Sequence, residues 1–369
     1  MGAPDINARA AGLLFDLASV QTSKFRISAY QGAAEAVLLL DEPLDAMRAS
    51  DGTLPRIPLV GPSSLRIIEE VLASGESPTA EQAIAASPKA DDVRDRRAKG
   101  MRGISRARVR EILADATLGG PAPGDYHGDF HMHSDWSDGR TTIDEMAAAC
   151  IARGYVFSGL SDHALGPPIP RGLSSKDLPE QRAALVQTNK KFAGRFRFLA
   201  GIEANIRPDG SLDVTPEDRA SLDIVIASPH AKLRIPDDQT ARMVAAASAP
   251  AVHILGHPRG RVWGARSGIR ADWDKVFAAA AKHQVAIEMD GDPKRQDLDY
   301  EMAERAMAAG CLFALDSDAH APDELPYSDF ALAHARLAGI PRERIVNCWT
   351  LEKVIGWSEA RRSNRRVPS

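Results

Sequence analysis

FHMHSDWSDG, residues 130–139, sets His131 and His133 two positions apart, with Asp138 on the loop that follows. It runs on from YHGDF, an apolar stretch that reads as a strand. On a strand, residues two apart face the same side, so both imidazoles can reach one ion. The pattern recurs along the chain, in SDH (161–163), GIEANI (201–206), SPH (228–230), GHP (256–258) and DSDAH (316–320). The candidate ligands are His131, His133, Asp138, His163, Glu203, His230, His257, Asp318 and His320. Asp318 and His320 are also two apart and are expected to share a side. Imidazole and carboxylate suit Zn, Mn and Fe alike. A lone histidine near a strand is more often a hydrogen-bonded core or rim residue. The set as a whole exceeds what one ion can hold and implies two or three. A glutamate can bridge two ions, and clusters of this kind hydrolyse phosphoesters.

The apolar runs give the fold. YHGDF, YVFSGL, FRFLAGI, LDIVIAS, AVHIL, VAIEMD and LFAL are seven strand candidates, and all but VAIEMD deliver a candidate ligand at the C-terminal end. Helical stretches lie between them. TTIDEMAAACIARG has a Thr cap, an early Glu and a closing Gly. LPEQRAALVQTNKKF, DWDKVFAAAAKH and DYEMAERAMAAG read the same way. Alternating strand and helix means a parallel sheet. Ligands gathered at strand C-termini mean a closed barrel with its site on the top face. Seven repeats predict an α/β chain with a distorted (β/α)7 barrel.

HMHSDWSDG, SDH, GIEANIRPDGSLD, LDIVIASPH, ILGHPRGR and DSDAH, in this order, resemble the PHP (polymerase and histidinol phosphatase) metal-dependent phosphoesterases. The variant is similar to the PHP domain at the C-terminus of bacterial family-X DNA polymerases. The resemblance covers about 125–355 and fills all nine ligand positions of the family. It implies the PHP fold and three metal positions. His131, His133, Glu203 and Asp318 would hold the first ion. Glu203 would bridge to a second, held also by His230 and His257. Asp138, His163 and His320 would hold the third. The expected cofactors are two to three divalent transition-metal ions, Zn, Mn or Fe, with Glu203 central to catalysis. One departure stands in AIEMDGDPKRQD, where relatives commonly have Asn at the position of Asp290.

Two arginines are candidates for holding the phosphate, Arg261 in HPRGR and Arg295 after VAIEMD. A guanidinium fork bonds two phosphate oxygens at once. The alternative for both is a solvated loop charge. His253, His283 and His334 read as packing or helix-end residues, and His127 as a candidate to orient a ligand.

Residues 1–88 carry apolar residues at helical spacing and no strand. KFRISAYQGAAEAV (24–37) and IPLVGPSSLRIIEEVLASG (57–75) resemble the N-terminal DNA-binding domain of family-X polymerases, the second as a helix-hairpin-helix. Relatives have two glycines in the hairpin; here Leu59 stands for the first and Gly61 remains. Only about thirty residues separate this domain from the barrel, too few for a polymerase palm. The expected organisation is an all-α domain over 1–88, a basic connector over 89–123, the barrel over 124–355 and a basic C-terminal tail over 356–369. The connector's Arg94, Arg96, Arg97, Lys99, Arg102, Arg106, Arg108 and Arg110 read either as a solvated helical linker or as a strip leading DNA to the barrel.

The formal charge of −4 gives no overall basic field. Cys150, Cys311 and Cys348 have no paired spacing and suggest thiols in a reducing compartment. MGAPDINARAAG has neither the basic start nor the apolar core of a signal peptide, and no run is apolar enough to span a bilayer. A cytoplasmic protein without a membrane partner is expected. The reading is a metal-dependent phosphoesterase acting on DNA 3′ ends, as a 3′–5′ exonuclease or a 3′-phosphatase. The alternatives are a small-molecule phosphomonoesterase of histidinol-phosphatase type and a non-catalytic DNA-binding protein. The full ligand set speaks against the last.

Overall fold

Helix caps written into the sequence set off the first part of the chain. Asp5 accepts the Ala8 N–H at 2.9 Å and opens the helix Ile6–Val20. Ser77 accepts from Ala80 at 3.1 Å, with Pro78 in the first turn of Pro78–Ala85. Gly75, at φ +78°, closes Pro62–Ser74 in the left-handed conformation that glycine adopts at least cost. These features come from a computed structural model that describes residues 4–98, 103–169 and 171–363. The chain packs as two units. One comprises Met1–Asp115 with Arg261–Ser267 and Pro293–Arg295; the other comprises Ala116–Gly260, Gly268–Asp292 and Gln296–Ser369.

The first unit is helical. Leu14, Phe15, Val37, Leu38, Ile67 and Val71 form its core, contributed by Ile6–Val20, Lys24–Leu38 and Pro62–Ser74. Trp263, from the Arg261–Ser267 segment, stacks on Phe15 at a centroid distance of 5.8 Å. The division at Asp115 takes in much of the expected connector, which forms helices Ala90–Ala98 and Arg106–Ala114. Its charges are largely paired. Arg97 Nε lies 2.7 Å from Asp16, Arg96 shares the same carboxylate, Arg108 pairs with Glu111 and Arg110 with Asp41. Lys99 and Arg102 lie outside the described residues.

Of the expected helix-hairpin-helix, only the second helix is present. Between Leu38 and Pro62 the chain makes turns, since Pro43, Pro55 and Pro58 withhold the N–H groups a helix needs. The hairpin turn itself forms. Val60 N–H donates to the Ile57 carbonyl at 3.2 Å, with Pro58 second and Leu59 third in the turn. Leu59 has φ +62°, where that turn favours glycine.

The second unit is built on a parallel sheet ordered β1-β2-β3-β4-β5-β6 among the described residues. The strands are β1 Phe157–Leu160, β2 Arg197–Asn205, β3 Ile224–Ser228, β4 Ile254–Leu255, β5 Ala286–Asp290 and β6 Leu312–Asp316. Seven segments were expected, and six are regular strands. The seventh, around 127–133, bonds on one side to the β1 region, through Val156 N–H to His127 O, Gly159 N–H to Asp129 O and Ser161 N–H to Met132 O. On the other it bonds beyond β6, through His133 N–H to Ala319 O, and so closes the sheet into a barrel. It is irregular because side chains take its donors: Asp316 accepts from Phe130, Asp129 from His131, and Ser161 Oγ from Met132.

Side-chain alternation divides the barrel interior into layers. Phe157, Leu199, Ile224, Ile226, Ile254, Ala286 and Ala314 cluster with Trp349, Val354 and Trp357. The polar residues follow on the same strands, toward their C-terminal ends. The helix Leu351–Arg362 therefore packs on the apolar end and overturns the expected tail from 356. Trp357 is 1% exposed, and Arg361 donates to the carbonyls of Val252 and Ala249. Residues 364–369 lie outside the described residues.

Candidate metal centre

Glu203 sits near the end of β2, fully buried. Its Oε1 lies 3.3 Å from His131 Nε2, 3.3 Å from His230 Nε2 and 3.0 Å from His257 Nε2. Its Oε2 lies 2.6 Å from His163 Nδ1 and 3.8 Å from His133 Nε2. Asp318 Oδ1 lies 3.0 Å from His133 Nε2 and 3.4 Å from His131 Nε2. Asp138 faces His163 at 3.6 Å and His320 at 3.4 Å. The fold thus brings all nine expected ligands together.

The spacing suits metal binding. Two atoms each about 2.1 Å from one ion, at tetrahedral to octahedral angles, stand about 3.0–3.4 Å apart. Most of the distances above fall in that interval. The buried His131 Nε2 has no hydrogen-bond partner, although it faces two carboxylates. A buried polar atom of this kind is costly unless something completes it. Burial pushes the Glu203 carboxyl up, but His163, His131 and His230 hold it well below the usual carboxylate range. Burial, with His320 and His163, pushes His133 down to about 3. Glu203 is thereby an ionised carboxylate, the form that binds metal, while, against burial, facing carboxylates raise His131 and bring His320 up to about 9.

Ligand atoms lying within 4.8 Å of one another form overlapping groups: His133, Asp138, His163 and His320; His131, His133 and Glu203; His131, His257 and Asp318; and His163, Glu203 and His230. Asp318 and His320 fall in different groups, although they are two residues apart. Strand β6 ends at Asp316, and Asp318 turns at φ +54°, so strand alternation no longer applies.

Residues not singled out in the sequence hold the candidate ligands. Glu288, inside β5, reaches His131 Nδ1 at 2.6 Å and accepts from the His257 N–H. Asn205, two positions beyond Glu203 on the same face of β2, lies 2.6 Å from His230 Nδ1. Asp162 accepts from the N–H and Oγ of Ser134, from Ser137 Oγ and from Gln181, which secures the loop carrying Asp138. The available signals were the polar residue within VAIEMD and the two-residue spacing in GIEANI. Arg261 and Arg295 fall in segments that group with the helical unit, where Arg261 Nε donates to the Arg295 carbonyl at 2.7 Å. Asp290 is buried and accepts from the Asp292 N–H at 2.7 Å. His253 and His334 are buried and hydrogen-bonded away from the cluster, to Val225 and Gln296 respectively. His127 belongs to none of the ligand groups. Among the described residues, no helix is long and apolar enough to cross a membrane.

No protein-family model matches the chain. It is 35% identical over 232 residues to the DNA polymerase/3′-5′ exonuclease PolX of Bacillus subtilis (strain 168), spanning 63% of this chain but only 40% of that protein. It is 30% identical over 236 residues to a probable phosphatase of Enterobacter sp. (strain 638), spanning 60% of this chain and 90% of the relative. A structure of histidinol phosphate phosphatase from Lactococcus lactis aligns at a TM-score of 0.44 and 17% identity, over 57% of this chain and 94% of that one. These relatives, one of them 30% identical and covered over 90% of its length, make the chain a member of the PHP family of phosphoesterases, hydrolases of phosphoester bonds.

Proposed function

We propose that the protein is a metal-dependent phosphoesterase that acts on DNA 3′ ends, as a 3′–5′ exonuclease or a 3′-phosphatase. The observation that carries the chemistry is Glu203, one buried carboxylate with four imidazoles within 3.3 Å. The DNA substrate draws support from the name of the Bacillus subtilis relative, of which this chain spans 40%. A small-molecule phosphomonoesterase is the second reading. It is favoured by relatives named probable phosphatases, which the chain spans over 90% of their length or more.

His131, His133, Glu203 and Asp318 would hold one divalent ion, Glu203 with His230 and His257 a second, and Asp138, His163 and His320 a third. Bound ions polarise phosphoryl oxygens and lower the pKa of water. The chain's own residues bind and orient. Glu203 would bridge, and Glu288 and Asn205 would fix the rings of His131 and His230. The buried walls around His131, His133 and Glu203 keep bulk water from these groups.

An activity panel on full-length protein with Mn or Zn tests the reading, using 3′-labelled DNA, 3′-phosphate DNA and histidinol phosphate. Release from DNA is the expected result. Turnover of histidinol phosphate alone would overturn the DNA substrate, and no turnover of any ester would overturn the proposal.

A further inference from the structure

A cavity of about 180 Å³ is lined in part by Asn205, which contacts His230 of the cluster. Leu165, Pro167, Ile206 and Ala231 supply an apolar wall. Arg207 and Asp213 supply a polar edge. Three short links tie this cavity to the ligands. Leu165 is two residues from His163, Asn205 two from Glu203, and Ala231 follows His230. Asn205 belongs to both places: its Oδ1 lies 2.6 Å from His230 Nδ1, and its Nδ2 donates to Asp213. A Cβ on Gly166 would come within 2.6 Å of Asp213 Oδ2, so only glycine lets that loop close down on the carboxylate.

A buried arginine fixes the walls. Arg242 is 4% exposed. It donates from Nε to the Arg207 carbonyl at 3.0 Å, and from its terminal nitrogens to the carbonyls of Ala231 (2.9 Å) and Ile206. It also donates to Gln239 Oε1 at 2.6 Å. Burial alone pushes its pKa down, with no carboxylate raising it. Burying a guanidinium on neutral partners is costly. What it secures is the spacing between two loops, one leaving β2 and the other leaving β3.

Resting on the phosphoesterase reading, we infer that this cavity receives the nucleobase of the nucleotide whose phosphate lies at the cluster. The volume is below the roughly 300–1,000 Å³ of sites that enclose a drug-sized ligand, and suits one ring system. The apolar wall takes the ring's face. Asp213 and Arg207 offer an acceptor and donors to its edge. Two residues of chain span at most about 7 Å, within the reach of a sugar from phosphate to base.

The test is Ala231→Phe in full-length, Mn-loaded protein, which fills the cavity. KM and kcat are measured for 3′-terminal release from an oligonucleotide, for histidinol phosphate and for glycerol phosphate, which has no ring. The ratio of oligonucleotide KM to glycerol phosphate KM should rise about tenfold or more, the scale on which an apolar pocket discriminates. A ratio that stays within about twofold would overturn the inference. A shift confined to histidinol phosphate would overturn the nucleobase as occupant. If circular dichroism shows that Ala231→Phe does not fold, Arg207→Ala, at an exposed position, decides by the same ratio. If wild-type protein hydrolyses no ester, calorimetric binding of thymidine 5′-monophosphate decides. Binding weakened about tenfold by Ala231→Phe supports the cavity; equal or absent binding rejects it.

Discussion

Glu288 Oε1 lies 2.6 Å from His131 Nδ1, and both residues are fully buried. The contact turns the opposite ring nitrogen, Nε2, toward Glu203 and Asp318. Partners of this kind fix the tautomer and raise the basicity of a metal-binding imidazole. Glu288→Ala should weaken metal binding about 10–100-fold. Metal titration of wild type and variant measures it; equal affinities would show that His131 needs no such support.

In the proposed mechanism Glu203 would serve two ions, since it belongs to two of the ligand groups. Glu203→Ala should abolish hydrolysis while the circular dichroism spectrum persists. Elemental analysis of wild-type protein purified without chelator should find roughly two to three transition ions per chain. Normal turnover by the variant would remove Glu203 from the mechanism.

Trp357 packs with Trp349, Ile224 and Ile254 at the apolar end of the barrel, and its Nε1 donates to the Gln284 carbonyl at 2.9 Å. Trp357→Ala should cost about 3–5 kcal/mol of stability, the range for deleting a buried aromatic ring. Urea unfolding provides the value. A loss near zero would mean that the helix Leu351–Arg362 contributes little to the core.

Leu59 holds φ +62° while its residue is 74% exposed. A non-glycine residue there costs roughly 1–2 kcal/mol, against roughly 0.5–1 kcal/mol of extra chain entropy for glycine. Leu59→Gly should therefore stabilise the protein by about 0.5–1 kcal/mol. A lower unfolding midpoint in the variant would show that packing by the Leu59 side chain outweighs the strain.

Much of this protein is written locally. The caps at Asp5, Ser77 and Thr142 and the apolar alternation in LDIVIAS depend on neighbours in sequence, so helices and strands were legible. The gathering of the nine candidate ligands was legible too, because parallel strands all deliver their C-terminal ends to one place. Other features arise only when distant segments meet. Glu288 is one acid inside an apolar run until β5 faces His131, 157 residues away. The arginines of 89–123 look like an open basic strip until Asp16 takes up two of them. Asp318 and His320 share a spacing but not a ligand group, because the chain turns after β6. Residues 356–362 look like the start of a tail until Trp357 finds the apolar end of the barrel. The sequence by itself determined which groups could bind metal, since that follows from residue type and strand period. The tertiary structure alone decided how those groups are shared and oriented, because a hydrogen-bond partner across the barrel has no fixed spacing in sequence.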